Sequence, residues 1–214
     1  MCVGVALDTP SAGRSSSSLD HLHQMQGATP IVTSRLILRP PHAEDAAPIF
    51  RRFAADSEVT HFVGWPRHTS IDDTTAFLEF SSSEWRRWPV GPLLIELRTD
   101  RTLLGSTGLA FETPERASTG YVLARDAWGL GYATEALAAV LVLAQELGIT
   151  RLYALCHPAN LPSIRVLERC GFSRADILAK HLVFPNLGDN EPQDVACYVH
   201  ASMNRRSGPQ LERP

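Results

Sequence analysis

Arg-Asp-Ala-Trp-Gly-Leu-Gly-Tyr-Ala-Thr-Glu-Ala, residues 125–136, sets two glycines one residue apart where a strand gives way to a long helix. Upstream, Gly-Tyr-Val-Leu-Ala at 120–124 reads as a short strand. Downstream, residues 134–147 are almost wholly apolar and rich in Ala and Leu, which are good helix formers. Gly129 and Gly131 have no Cβ, so the backbone there can take unusual dihedrals and come close to a ligand. The first N–H groups of a helix lack internal partners and, with the helix dipole, favour an anion. Gly-x-Gly alone also fits an ordinary tight turn. Its setting between strand and helix favours a phosphate or pyrophosphate site.

The rest of the composition bounds the function. The chain has 214 residues, is 44% hydrophobic and 20% charged, and can bury a sizeable core. A net charge of −3 with interspersed signs argues against a nucleic-acid-binding face. Cys2, Cys156, Cys170 and Cys197 show neither a Cys-x-x-Cys pair nor zinc spacing, so no metal site is expected. Buried free thiols and a reduced, cytoplasmic setting are the expectation. The longest apolar run, residues 136–144, is far short of the ~20 residues that cross a bilayer, so no membrane partner is expected.

Residues 1–30 hold Ser15 to Ser18, scattered Gly and Pro, and little hydrophobic periodicity; they read as a disordered extension, with Met25 an alternative start of the folded unit. His21 and His23 are read as part of a solvated tail. A single domain is expected over 31–202, followed by a polar, flexible tail over 203–214.

Along that domain, residues 33–39 alternate as a strand halted by Pro40-Pro41. A helix follows over 44–54 with Ile49, Phe50 and Phe53 on one face. His-Phe-Val-Gly-Trp-Pro at 61–66 is a loop, and Thr69 or Ser70 caps the next helix, with Asp72 and Asp73 in its first turn. Strands at 93–98 and 103–111 flank the polar turn 99–101. After the glycine turn and its helix, Gly148 terminates that helix and residues 151–156 form a strand. A turn at 158–162 leads to a short helix over 163–169. The segments 174–183 and 195–201 close the chain as a hairpin around the polar loop 185–193. The mixture predicts an α/β (α+β) fold with one strand–helix–strand crossover.

Trp128-Gly-Leu-Gly-Tyr-Ala-Thr-Glu-Ala136 resembles the acetyl-CoA motif of the Gcn5-related N-acetyltransferases, the GNAT superfamily, whose usual pattern is Gln/Arg-x-x-Gly-x-Gly/Ala. Trp128 stands in the first position, Gly131 in the fourth and Ala133 in the sixth. The tryptophan departs from the general pattern but is similar to the branch that acetylates ribosomal-protein N-termini (RimJ/RimL-like). Asn160-Leu-Pro-Ser163 with Gly171-Phe172 resembles a second element of that branch. Gly64-Trp65-Pro66 with His68-Thr-Ser, the stretch 180–188 and Asp194 resemble its substrate-side region. The resemblance spans about residues 33–202.

It implies a central mixed, mostly antiparallel sheet flanked by helices, with splayed fourth and fifth strands, here 120–124 and 151–156. It also implies acetyl-CoA as co-substrate. The pantetheine arm would pair with main-chain groups near Val122 and Leu123, and the pyrophosphate would rest on amides of Trp128, Gly129, Leu130, Gly131, Tyr132, Ala133 and Thr134, with Asn160 and Ser163 also at the coenzyme. The implied enzyme is an acetyl-CoA-dependent N-acyltransferase, monomer or homodimer. Its acceptor is a primary amine, foremost a protein N-terminus; the alternatives are a small-molecule amine or a non-catalytic acyl-CoA-binding module.

Such chemistry needs a neutral amine, and an α-amine with pKa near 8 needs less help than a lysine near 10.4. An oxyanion donor is expected from a backbone N–H around Leu123. Ser163 is the candidate acid for the leaving thiolate, or else a helix N-cap. Asn160 contacts pantetheine or holds its turn. Relatives often carry a glutamate before the Gly-Tyr of the fourth strand, where this chain has Ser118-Thr119. Glu112 and His68 are therefore the candidate bases, with a water chain as fallback, and Trp65 the candidate wall of the acceptor pocket.

Overall fold

The computed structural model describes residues 29–188 and 190–203. The expected extension lies outside them up to residue 28, including Cys2, His21, His23 and Met25, as does the expected tail from residue 204.

Eight strands form one sheet: β1 (Ile31–Val32), β2 (Leu36–Arg39), β3 (Leu93–Leu97), β4 (Leu103–Thr113), β5 (Arg116–Leu123), β6 (Arg151–Cys156), β7 (Phe172–Leu182) and β8 (Gln193–His200). Their spatial order is β1-β2-β3-β4-β5-β6-β8-β7. Every neighbouring pair is antiparallel except β5–β6. The expected mixed, mostly antiparallel α/β sheet is therefore present. The two-residue β1, split from β2 by a turn at residues 33–35, moves the expected fourth and fifth strands to β5 and β6. The closing hairpin also lands in an order that strand patterning does not reveal, because β8 inserts between β6 and β7.

The helices are α1 (Ala46–Ile49), running on into a π-helical turn (Phe50–Ala54), α2 (Ser57–Thr60), α3 (Ile71–Arg87), α4 (Tyr132–Glu146) and α5 (Leu161–Arg169). Ser70 caps α3 by a reciprocal exchange with Asp73. On α4, Ala136, Leu137, Val140 and Ala144 are buried, a stripe at the spacing of one helix face. With Leu167 of α5 they cover one side of the sheet, against Leu36, Leu38, Ile95, Leu123, Leu152 and Ala154. A second apolar cluster on the other side joins Ile49, Phe53, Val59 and Leu78 to Leu94, Leu103, Val122 and Ala124. Gly148, at φ +72°, ends α4 in the left-handed conformation expected of it. Met203 is buried in the first cluster, so the folded core reaches at least that far.

The crossover from β5 through α4 to β6 positions the site. β5 and β6 pair only at Arg116↔Arg151, Ala117↔Leu152 and Ser118↔Tyr153. Beyond Ser118, β5 continues to Leu123 beside β4, while β6 pairs with β8 from Tyr153↔Val199 to Cys156↔Ala196. The two parallel strands thus part into a V, open toward residue 123 on one arm and residue 156 on the other.

Candidate active site

The first arm of the V leads into the glycine turn. Ala124 N–H donates to the Leu104 carbonyl at 2.7 Å. In an antiparallel ladder alternate residues turn the same way, so Val122 also faces β4 while Leu123 faces the V. The Leu123 carbonyl accepts the Trp128 indole N–H at 2.8 Å. The tryptophan therefore pins the end of β5 to the turn, with its ring half-exposed. Gly129 and Gly131 both hold positive φ, +75° and +82°, and an added Cβ at Gly129 would meet nothing within 4 Å. Gly131 is the left-handed N-cap of α4, which begins at Tyr132, two residues before the expected start. The turn thus presents its backbone to open space at a helix N-terminus, a fit for a phosphate group.

Behind the turn, Glu135 anchors it. Its carboxylate accepts from Thr33 Oγ1 (2.6 Å), Ser34 Oγ (2.9 Å), Arg35 N (2.9 Å) and Arg35 Nε (2.6 Å). Burial raises the Glu135 pKa, but these hydrogen bonds outweigh it and hold the carboxyl at about 2.

The other arm ends in the Asn160–Ser163 turn. Asn160 caps α5, its Oδ1 accepting from Ser163 N–H at 3.4 Å, and the cap reading for Ser163 is replaced: it stands in the first turn, with Leu161 and Pro162 before it. Asparagine is as good a cap as serine, and helix entry at Leu161 puts Pro162 where its missing N–H costs nothing. Both Asn160 and Ser163 are buried. The thiol of Cys156, the last residue of β6, lies 4.0 Å from the Asn160 carbonyl and ties the turn to the strand.

On the opposite side of the sheet two loops meet. Asn186 Nδ2 donates to the carbonyls of Thr60 (2.8 Å) and Trp65 (2.9 Å), and its Oδ1 accepts from Arg67 N–H (2.8 Å). This clamp joins residues 60–67 to the 185–187 turn, across 120 or so positions of sequence. Between them, the His157 ring stacks on Phe62 (4.9 Å) and meets Phe184 edge-on (4.9 Å). His157 Nδ1 accepts from Ala159 N–H, leaving Nε2 to face Gln193 Oε1 at 3.0 Å. His68 sits nearby, its ring 5.1 Å from that of Trp65 and its Nδ1 2.8 Å from Thr74 Oγ1.

Glu112 stands apart. It lies seven residues along β4 from Gly105, the partner of Leu123, roughly 23 Å at the strand rise of 3.3 Å per residue. Its carboxylate pairs with Arg116 at 2.7 Å and accepts from the Tyr153 hydroxyl. Burial, followed by that hydrogen bond, pushes the Tyr153 hydroxyl up to about 12.

Comparison with known proteins agrees with this layout. The family model for an acetyltransferase (GNAT) domain matches residues 35–173, which take in β2 through α5 and the whole V. This chain belongs to the GNAT acetyltransferase family. It is thus an enzyme, an acetyl-CoA-dependent N-acetyltransferase. The GNAT chain is 29% identical over 158 residues to the uncharacterized N-acetyltransferase YoaA of Bacillus subtilis (strain 168), covering 70% of this chain and 86% of that one. Its fold is similar to that of the microcin C7 self-immunity acetyltransferase MccE in complex with acetyl-CoA and AMP, with a TM-score of 0.69 at 21% identity over 78% of this chain and 92% of that one. It is also similar to RimL, the ribosomal L7/L12 α-N-protein acetyltransferase, in complex with coenzyme A, with a TM-score of 0.66 at 18% identity over 79% and 96%.

Within this GNAT domain, the mouth of the V gathers Leu123 and residues 128–134 on one arm and Asn160 and Ser163 on the other, while the expected main-chain role of Val122 is not met, because its polar groups are turned to Ser106 of β4. Trp65 and His68 share the loop side, and Glu112 joins neither group. The Asn186 clamp falls in the 180–188 stretch that the sequence singled out, whereas the contacts of Arg35 and His157 depend on residues distant in sequence. Among the described residues no group of three or more His, Cys, Asp or Glu is placed to hold a metal ion, and no helix is long and apolar enough to cross a membrane.

His68 also links this loop to pH. Burial pushes its pKa below the ordinary 6.5, a shift that nearby Asp73 opposes. The folded state therefore binds the proton less readily than the unfolded chain. Its contribution is fully present above pH 6.5 and declines as pH falls from there toward the folded pKa. Urea unfolding is expected to show stability falling as pH drops below 6.5, with a shallower fall in His68→Gln.

Proposed function

We propose that this enzyme moves the acetyl group of acetyl-CoA to the α-amino group of a protein N-terminus. The V between β5 and β6, with a left-handed glycine turn at its mouth, is the observation that carries the reading. Pantetheine laid along the V would act as an added strand beside the main chain near Leu123, using the groups that Leu123 turns toward it. The pyrophosphate would rest on amides of residues 129–134, where no Cβ on Gly129 stands in the way.

The acceptor would enter from the other side, between the loops that Asn186 clamps together, with Trp65 as part of the wall. The neutral amine attacks the thioester carbon, the C–N bond forms and the C–S bond breaks. A backbone N–H near Leu123 would hold the oxyanion. The Ser163 hydroxyl would protonate the leaving thiolate and recover its proton from solvent. The amine's own proton would leave along a water chain. Of the two side-chain bases, His68 suits that role better than Glu112, because burial keeps it neutral and it shares the acceptor loop.

An α-amine also explains how the reaction proceeds without a strong base, since a large share of it is neutral near pH 8. The test is mass spectrometry of a mixed panel of peptides with free N-termini, N-terminally blocked lysine peptides, amino sugars and polyamines, each incubated with acetyl-CoA. Acetylation of free N-termini, with a rate limb near pH 8, is the expected result. Turnover on small amines alone would replace the acceptor class, and coenzyme binding without turnover on any acceptor would overturn the enzyme mechanism.

A further inference from the structure

The Thr33-Ser34-Arg35 turn belongs to no part of the mechanism above, yet it converges on the back of the glycine turn from about 100 residues away. Arg35 makes three contacts there at once. Its Nε meets Glu135 at 2.6 Å, its Nη1 donates to the Leu130 carbonyl at 2.9 Å, and its guanidinium lies over the Tyr132 ring at 4.6 Å from the centroid. A Cβ on Gly131 would come to 3.4 Å from Arg35 Nη2, so the guanidinium also bounds the space behind the N-cap.

We infer that Arg35 and Glu135 form a latch that sets the pyrophosphate turn, with Arg35 a positioning residue for coenzyme binding. This rests on the coenzyme seat proposed above. Two physical effects support it. The Leu130 carbonyl lies between the two left-handed glycines, where peptide planes turn most freely. Holding it against Arg35 fixes that peptide plane, and the order of the neighbouring amides is set before the ligand arrives, which lowers the cost of binding.

The second effect is electrostatic. Glu135 stands in the first turn of α4, within one turn of the amides that would carry the pyrophosphate. A bare carboxylate there would oppose an anionic ligand, and the Arg35 charge cancels it. The latch cannot be replaced by a point charge alone. Only a fork can meet the Glu135 carboxylate and the Leu130 carbonyl together, so lysine is a partial substitute.

The experiment compares two ligands on the full chain: CoA, which has the pyrophosphate, and S-acetylpantetheine, which lacks it. Their dissociation constants are measured by calorimetry and NMR titration for the wild type, Arg35→Ala, Arg35→Lys and Arg35→Ala/Glu135→Ala, alongside thermal melts. Arg35→Ala is expected to weaken CoA about tenfold or more, as loss of a charge-assisted contact does, and to leave S-acetylpantetheine within about twofold. Arg35→Lys should fall between, and the double variant should regain part of the CoA affinity because the bare carboxylate is gone.

Equal weakening of both ligands would reduce Arg35 to a general structural role and overturn the inference, as would unchanged CoA affinity. If Arg35→Ala fails to fold, Arg35→Lys with an unchanged melt carries the same comparison. A wild-type protein that binds no CoA would instead sink the coenzyme seat itself.

Discussion

Replacing Gly105 with alanine is expected to cost the fold about 3 kcal/mol or more and to abolish acetyl transfer. A Cβ at this position would lie 1.9 Å from the Val122 carbonyl oxygen and 2.9 Å from Leu123 Cα. Both are main-chain atoms of the facing strand and cannot rotate aside as a flexible side chain would. β4 and β5 would have to separate where Gly105 pairs with Leu123, on the arm of the V proposed to face the coenzyme. Gly129→Ala is the matched control. Its Cβ meets nothing, so only the strain of φ +75° remains, about 1–2 kcal/mol. Urea midpoints for the two variants should separate widely. Equal losses would mean that close strand approach at Gly105 is not what limits substitution there.

Arg39→Leu is expected to be comparably severe, about 3–5 kcal/mol near neutral pH, because it strands buried Asp45 and leaves Glu96 with Arg101 alone, at 2.7 Å from its Nε. Arg39 grips Asp45 with both Nη atoms at 2.7 Å and reaches Glu96 with Nε at 2.7 Å. The Asp45 side chain is only 8% exposed, so it cannot turn to water when the guanidinium goes. Burial raises the Asp45 pKa, but the hydrogen bonds from Arg39 and the His42 backbone outweigh it and hold the carboxyl below its ordinary 3.8.

In the wild type that contribution is present above pH 3.8 and is lost as pH falls through the folded value. In Arg39→Leu the uncompensated Asp45 would take up a proton more readily, so the penalty should shrink on acidification. Adding Asp45→Asn should recover part of the loss. This ion cluster braces β2 and β3 against the segment at 43–45 that opens the helical stretch leading to the proposed acceptor loops. Its removal should therefore disturb acceptor binding before coenzyme binding. A variant as stable as the wild type at pH 7, by urea unfolding, would contradict this account of the cluster.

Much of the coenzyme side was legible because its determinants are local. Gly129 and Gly131 are two residues apart, the apolar stripe of α4 repeats within single turns, and Asn160 and Ser163 share one turn. Position within a short segment is enough for such features. The Ser163 cap reading failed at the same scale, because a serine following a proline invites a helix start that Asn160 takes first. What escaped has long-range causes. Glu135 looks like an ordinary first-turn acid until residues 33–35 close on it, and Arg39 looks like a strand-end charge until Glu96 arrives 57 positions later. The placement of β8 between β6 and β7 likewise depends on which strand best fills the gap left where β6 leaves β5. The proposed acceptor side is least legible because it is built from two loops, joined by the three hydrogen bonds of Asn186.

The claim on which the rest depends is that acetyl-CoA lies in the V between β5 and β6. Backbone amide NMR during titration with CoA tests it most directly, since each amide reports its own surroundings. The account predicts large shifts and slowed hydrogen exchange at Leu123 and across residues 129–134. Val122, whose amide faces Ser106 of β4, should change little. Saturable CoA binding that leaves these amides unmoved, with shifts confined to another region such as β7 and β8, would contradict it.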